Sequence, residues 1–292
     1  MKRFSGCLTA LVTPIRGGEV DRHALAEIVE MQIAGGVQGL VPCGSTGESA
    51  TLTHDEHTEV VREVVRLARG RIPVIAGTGS NSTAEAIRLT RAAAEVGAAA
   101  ALLISPYYNR PTQEGIYHHY AAIAEATSLP LIVYNIPGRT ASNILPETIA
   151  RLSRLPTIIG VKEASGSLAQ VVEVIAACEP GFQVFSGDDI LTLPIMAAGG
   201  IGVISVTSNV APRPMVDLTD ALGAGDLARG RAAMHRLLPL MQALFLEVNP
   251  IPVKTALALM GKCAEEFRLP LTCMNAANRA RLEQVLREYD LV

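Results

Sequence analysis

Eight short apolar runs recur along the chain, and after most of them the hydrophobic period changes from strand-like to helix-like. The runs are 7–13, 39–43, 74–77, 100–105, 131–135, 158–162, 183–186 and 202–206. They lack the apolar–polar alternation of a sheet with one wet face, so each reads as a strand buried on both sides. Strands of this kind separated by helices are parallel. Eight such units predict an α/β fold, a closed (β/α)8 TIM barrel rather than an open doubly wound sheet.

The intervening stretches carry their own signals. His23 to Ala34 sets Leu25, Ile28, Val29 and Ile33 on one helical face. Thr53-His54-Asp55-Glu56 has the spacing of a capping box, ahead of Val60, Val61, Val64, Val65 and Leu67. Ser82 or Thr83 caps a helix carrying Ile87 and Leu89 that ends near Gly97, and Pro146 suits the first turn of a helix through Ile149 and Leu152. Ser165 or Ser167 caps another, with Val171, Val172, Val174 and Ile175. After the eighth strand only helices are predicted, over 214–222, 226–248, 252–262 and 276–288. The organisation is a catalytic barrel over 1–222 and a C-terminal helical extension of the same domain over 223–292.

Composition removes several classes of function. A net charge of -3 and the absence of tryptophan argue against a nucleic-acid footprint. Cys7, Cys43, Cys178, Cys263 and Cys273 are odd in number and form no CxxC pair, which suits a reducing cytoplasm better than disulfides or zinc. Lys2 and Arg3 before an apolar run imitate a signal peptide, but Gly6 and Pro14 interrupt it, so a first strand is expected. Residues 190–212 carry no charge, yet their glycines, hydroxyls and two prolines fit a buried helix, turn and strand better than a membrane span.

In such a barrel, chemistry gathers where the strands end. The second run leads into Cys43-Gly44-Ser45-Thr46-Gly47-Glu48, the fourth into Pro106-Tyr107-Tyr108-Asn109, and the fifth into Tyr134-Asn135, then Pro137, Gly138 and Arg139. The sixth run, IIGVKEASG, holds Lys162, and the seventh ends in Ser186-Gly187-Asp188-Asp189. A lysine inside a β-branched run is seldom buried without a reason. It is either a core lysine paired with a carboxylate such as Glu163, although neighbours on a strand face opposite ways, or an amine made nucleophilic by desolvation. The rim as a whole has the makings of a Schiff-base site with proton donors and a carboxylate clamp.

Each motif has a plainer reading beside it. CGSTGES lacks the lysine of a nucleotide-binding loop; its amides and the Ser45 and Thr46 hydroxyls suit a small carboxylate, or it is merely a strand-to-helix turn. Tyr134 is a core tyrosine or a proton shuttle for an imine on the next strand. Arg139 is a bidentate carboxylate clamp or a surface ion pair. His54-x-x-His57 is half a metal site at most, and solvated histidines at a helix start are the commoner case. No metal is expected, and Cys43 reads as packing.

Together these residues resemble the dihydrodipicolinate synthase family, within the pyruvate-dependent class I aldolases that include N-acetylneuraminate lyase. The resemblance rests on GSTGESATL (44–52), AGTGSNSTAEAI (76–87), PYYNRPTQEG (106–115), YNIPGRT (134–140), GVKEASG (160–166), SGDD (186–189), GVISVTSN (202–209) and NPIPVK (249–254). It implies that Lys162 forms a Schiff base with pyruvate and that Tyr134 moves protons through Ser45 to Tyr108. In the family the phenol matching Tyr108 crosses from a neighbouring subunit, which implies a homotetramer built as a dimer of dimers. Thr46 would hold the pyruvate carboxylate and Arg139 that of L-aspartate-4-semialdehyde, while Gly187 and the Ile204 carbonyl would line the pocket. The implied product is 4-hydroxy-tetrahydrodipicolinate, on the way to lysine and diaminopimelate, with no metal or organic cofactor and with neither nucleic acid nor membrane as partner.

A second group, Ser49, Ala50, His54, His57, Asn81, Glu85 and Tyr107, stands where bacterial members of the family bind L-lysine as an inhibitor; otherwise it is a polar dimer interface. One position departs: the family usually has threonine where this chain has Ser45. The hydroxyl is kept, but the methyl that restrains its rotamer is lost. Serine there is also the neuraminate-lyase spelling, so a sugar-acid lyase or related deaminase stays open, as does a metabolite-binding barrel without turnover. Arg139 favours an acceptor that carries a carboxylate.

Overall fold

A computed structural model describes residues 3–292; Lys2, half of the basic pair that imitates a signal peptide, lies outside them. The barrel strands are β1 (Gly6–Ala10), β4 (Gly39–Val41), β5 (Ile75–Gly77), β6 (Ala100–Ile104), β7 (Leu131–Asn135), β8 (Ile158–Glu163), β9 (Gln183–Ser186) and β10 (Gly202–Ser205). All pair in parallel, in the order β4-β1-β10-β9-β8-β7-β6-β5. A single parallel bridge, Leu40 to Val74, joins β4 to β5 and closes the ring. Several predicted runs overshoot, because residues such as Cys43 and Ser105 already belong to the loops of the mouth, whereas 131–135 and 183–186 match their strands and 158–162 stops one residue short. A two-stranded hairpin, β2 (Ile15–Arg16) and β3 (Glu19–Val20), was not anticipated; it turns on Gly17 and Gly18 and is too short to show a period.

The helices α1 (Arg22–Ala34), α2 (His54–Ala68), α3 (Thr83–Glu95), α4 (Gln113–Glu125), α5 (Pro137–Thr140), α6 (Pro146–Leu152), α7 (Leu168–Ala177), α8 (Thr192–Ala197) and α9 (Pro212–Gly223) come from the strand connections and the first segment after β10. Then follow α10 (Leu227–Ala243), α11 (Ile251–Leu259) and α12 (Ala276–Glu288). The Thr53–Glu56 capping box forms in both directions, a device worth roughly 1 kcal/mol. Ser82 and Ser167, rather than Thr83 and Ser165, accept from the first turns of α3 and α7. On α1 the buried face includes Gln32, and Ile33 is only partly covered. Gln32 is buried because it accepts from the Thr9 hydroxyl at 2.8 Å and donates to the Asn209 carbonyl at 3.1 Å.

Helix α10 stops at Ala243, short of the predicted 248, and leaves residues 244–248 to return the chain to the barrel mouth. Helix α11 starts at Ile251, one residue earlier than expected, and ends at Leu259 rather than 262. The uncharged stretch forms α8, β10 and the short turns beside them, and among the described residues no helix is long and apolar enough to cross a membrane.

The two-residue period of the strands divides the apolar residues into two cores. Leu8, Val41, Ile75, Leu102, Ile132, Tyr134, Ile159, Phe185 and Ile204 fill the barrel interior. Their neighbours, among them Cys7, Leu40, Leu103, Val133, Val161, Val184 and Val203, face the helices. This division decides which polar side chains enter the barrel.

Candidate active site

On β7, Leu131 and Val133 face outward while Ile132 and Tyr134 face inward. On β8 the register slips by one residue after Ile158, so that Ile159 is inward and Val161 outward, and the next inward position is Lys162. The register sets Tyr134 directly beside Lys162. The ammonium nitrogen Nζ lies 4.4 Å from the centre of the phenol ring. Lys162 is only 5% exposed. Burial pulls its pKa from an ordinary 10.5 down to about 8, with the Asp189 carboxylate opposing the shift and the Arg139 guanidinium adding to it. Burial pushes the Tyr134 phenol the other way, up to about 12, moderated by Arg139 and by a hydrogen bond with Ser45. Near neutral pH the lysine can therefore shed its proton while the phenol beside it keeps one. Such a pair is chemically suited to serve as a nucleophile with an acid beside it.

Glu163 is not the lysine's partner. It points to the opposite face, where it accepts from Asn135 Nδ2 at 3.1 Å, the Ser165 amide at 2.7 Å and Gln170 Nε2 at 3.3 Å. The buried charge that Lys162 does feel is Asp189, on the loop after β9. One oxygen of that carboxylate is held by the Val206 and Thr207 amides and the Thr207 hydroxyl, at 3.1, 2.9 and 2.9 Å. Gly187 makes room for the lysine: a Cβ there would stand 2.6 Å from the Ala164 methyl and 3.1 Å from Lys162 Cε. No other residue type fits without moving one of them.

Residues 43–49 make a compact turn after β4. The Gly47 and Ser49 amides donate to the Gly44 carbonyl at 3.1 and 3.4 Å, and the Glu48 amide to the Ser45 carbonyl at 3.2 Å. Three amides of the expected cradle are thus used inside the turn, while the Ser45 and Thr46 amides donate to nothing within it and remain available beside their own hydroxyls. Thr46 is buried and its hydroxyl accepts from Asn249 Nδ2 at 3.0 Å, which orients its own proton elsewhere. Arg139, on α5, is exposed at the rim and donates from Nη2 to the Asn249 carbonyl at 2.7 Å. It is no surface ion pair.

Asn249, Glu48, Lys254 and Asp189 were not singled out from the sequence as site residues, although Asn249 bonds both Thr46 and Arg139, Lys254 pairs with Glu48, and Asp189 supplies the charge that Lys162 feels. Lys254 stands in an apolar run, Ile251 to Leu259, as Lys162 does in its own. The same anomaly flagged one and could have flagged the other.

A cavity of about 440 Å³ opens above these groups. Its lining includes Ser45, Tyr134, Arg139 and Asn249, and also Ser49, Ala50, His54, His57, Glu85 and Tyr107. Lys162, Thr46, Gly187, Ile204 and Asn81 lie outside that lining. Ile204 is packed in the inner core. Tyr108 is 91% exposed, with φ +69°, so within one protomer its phenol is turned away from Ser45. His54 Nε2 donates to Glu85 at 2.6 Å, Arg88 donates to His54 Nδ1 at 2.8 Å, and Ser80 donates to the other Glu85 oxygen. These bonds, first that from Ser80, hold Glu85 below the usual carboxylate range. His57 is buried rather than solvated: its Nε2 donates to the Gly77 carbonyl at 2.7 Å and burial lowers its pKa. The Asn81 carbonyl accepts from Asn109 at 2.9 Å. The two histidines thus look to different partners.

Comparison with known proteins agrees with this geometry. Residues 3–289 match the model of the dihydrodipicolinate synthetase family. A 4-hydroxy-tetrahydrodipicolinate synthase of Syntrophus aciditrophicus is 55% identical over 289 residues, 99% of each chain. Among solved structures, the pyruvate complex of the chloride-inhibited dihydrodipicolinate synthase from Acinetobacter baumannii superposes with a TM-score of 0.98 at 44% identity, over 99% of this chain and 100% of that one. The lysine-bound enzyme from Cyanidioschyzon merolae gives 0.96 at 40% identity, over 99% of both chains. With a buried lysine at the heart of its barrel and relatives matched over nearly its whole length, the chain belongs to the dihydrodipicolinate synthetase family and is an enzyme of the class I aldolase type, a carbon–carbon lyase.

Proposed function

We propose that the chain is a 4-hydroxy-tetrahydrodipicolinate synthase, joining pyruvate to L-aspartate-4-semialdehyde at the first committed step of lysine and diaminopimelate synthesis. The observation that carries the reading is the buried amine of Lys162, lowered to about 8 and set 4.4 Å from the Tyr134 ring. The neutral amine attacks the keto carbon of pyruvate, and water leaves as Tyr134 returns a proton, giving the imine. Loss of a methyl proton converts the imine to an enamine, whose carbon attacks the aldehyde. Tyr134 protonates the new alkoxide. The amino group of the acceptor then adds to the imine carbon and expels Lys162, closing the ring. Thr46 and Ser45 hold the pyruvate carboxylate end, and Arg139 takes the acceptor's carboxylate. Gly187 and the Ile204 carbonyl border the imine. No metal or organic cofactor enters these steps.

Tyr108 completes the relay from a neighbouring protomer in a homotetramer, a dimer of dimers; its exposure in the single chain supports this assignment. The helices after 223 act as an extension of the same domain, and cysteines without disulfides suit a cytoplasmic enzyme. Ser45 favours one second reading, a lyase or deaminase acting on a sugar acid. Borohydride trapping of pyruvate on Lys162, followed by turnover with the semialdehyde in a coupled reductase assay, separates the two. An imine without semialdehyde turnover would move the assignment to sugar acids, and no imine would end it.

L-Lysine inhibits through Ser49, Ala50, His54, His57, Asn81, Glu85 and Tyr107. Support comes from the carboxylate of Glu85 beside His54 in the lining of the cavity, and from the lysine-bound relative. Glu85→Gln should abolish inhibition while leaving uninhibited turnover within about twofold. A wild-type enzyme indifferent to lysine at every dose would refute the assignment.

A further inference from the structure

The turn that carries Ser45 and Thr46 is anchored by a charge pair from the far end of the chain. Lys254 Nζ, on α11, donates to Glu48 Oε1 at 2.5 Å, and both side chains are essentially inaccessible, at 0% and 1%. The Lys254 ammonium also sits 5.0 Å from the Phe267 ring, and the Arg268 amide reaches the other Glu48 oxygen at 3.4 Å. Glu48 adopts φ +55°, a left-handed conformation that a residue with a Cβ holds only when its surroundings impose it. Two further bonds fasten the same turn: Thr13 donates to the Gly47 carbonyl at 2.7 Å, and Asn249, on the approach to α11, donates to the Thr46 hydroxyl.

A fully buried ion pair is an expensive way to hold a fold together, since apolar residues of the same volume do as well or better. Its retention beneath a donor loop calls for another role. We infer that Glu48 and Lys254 are positioning residues: the pair fixes the turn so that the Ser45 and Thr46 hydroxyls stand ready for the carboxylate of the keto acid. This rests on the reading of Lys162 as the pyruvate imine. The pair touches no reacting atom. It acts on pyruvate binding through Thr46, and on the acceptor hardly at all.

The test uses the full-length enzyme and three variants, Lys254→Met, Glu48→Gln and the double variant. The readouts are half-saturation of borohydride-trapped imine by pyruvate, the KM for each substrate, and thermal unfolding. Lys254→Met leaves a buried carboxylate without its cation and should lower the Tm. The double variant removes both charges and should recover most of that loss. A turn displaced by about 1 Å costs on the order of 10²-fold in reactivity. The double variant is therefore expected to need at least tenfold more pyruvate for half-saturation, with the semialdehyde KM within about twofold of wild type. Should Lys254→Met fail to fold, the double variant and Glu48→Gln carry the comparison alone. Wild-type pyruvate half-saturation in the folded double variant would overturn the inference and leave the pair purely structural. A wild-type enzyme that traps no pyruvate would overturn the imine reading, and this inference with it.

Discussion

The ionisation of Lys162 should govern how fast the free enzyme captures pyruvate. Because burial brings the amine to about 8, roughly 1% is neutral at pH 6, about 9% at pH 7 and about half at pH 8. An ordinary lysine would be neutral in only about 0.03% of molecules at pH 7, so the barrel raises the reactive fraction ~300-fold. The penalty imposed on the charged form is on the order of 3 kcal/mol. The sign is that of a depressed cationic group: the penalty is fully present below pH 8 and is relieved as pH rises towards 10.5. The assay is kcat/KM for pyruvate from pH 5.5 to 10, which reports the free enzyme, with borohydride trapping on Lys162 as a chemical control. The expected profile climbs about tenfold per pH unit below 7 and levels off just above 8, before Tyr134 begins to lose its proton near 12. A climb that continues unbroken past pH 9.5 would mean an unperturbed amine. A flat profile between pH 6 and 8 would mean that amine deprotonation is not what limits capture. Either result would refute the reasoning.

Further outcomes follow from the same geometry. Lys162→Met should abolish the imine yet stabilise the fold by about 1–3 kcal/mol at pH 7, and by less at pH 10, because the buried charge is gone; urea unfolding at both pH values measures it. Gly187→Ala places a methyl against Ala164 and Lys162 Cε, and should lower kcat/KM by about 10²-fold with little change in the semialdehyde KM; unaltered steady-state kinetics would contradict the packing. Arg139→Lys keeps the charge but loses the fork, so the semialdehyde KM should rise at least ~10-fold while pyruvate trapping is retained.

Much of the fold was legible because its signals are local. Eight apolar runs and the helical period between them give a barrel without any distance information, and the capping box at Thr53 is spelled out within four residues. Lys162 and Tyr134 were legible for a related reason: a lysine stands out in an apolar strand, and the phenol lies one strand before it, where the register sets the two side by side. What escaped depends on contacts far apart in sequence. Gln32 looks like a surface residue until Thr9 and Asn209 supply its bonds. His57 looks solvated until Gly77 accepts from it. Nothing near Glu48 in the sequence announces a partner on α11. Helix α10 overran in the reading because the apolar pattern continues past Ala243, whereas the chain itself leaves the helix to deliver Asn249.

The reach of that C-terminal segment has a consequence for how the enzyme comes into being. Glu48 and Lys254 are 206 residues apart, and Thr46 and Asn249 are 203 apart. All eight strands have left the ribosome before either partner on the C-terminal side has been made. The nascent barrel can therefore acquire its shape, its inner core and its lysine while the turn that receives the keto acid is still unfastened. Competence arrives with the tail, so a chain cut short after the barrel would have the look of the enzyme without its grip on substrate.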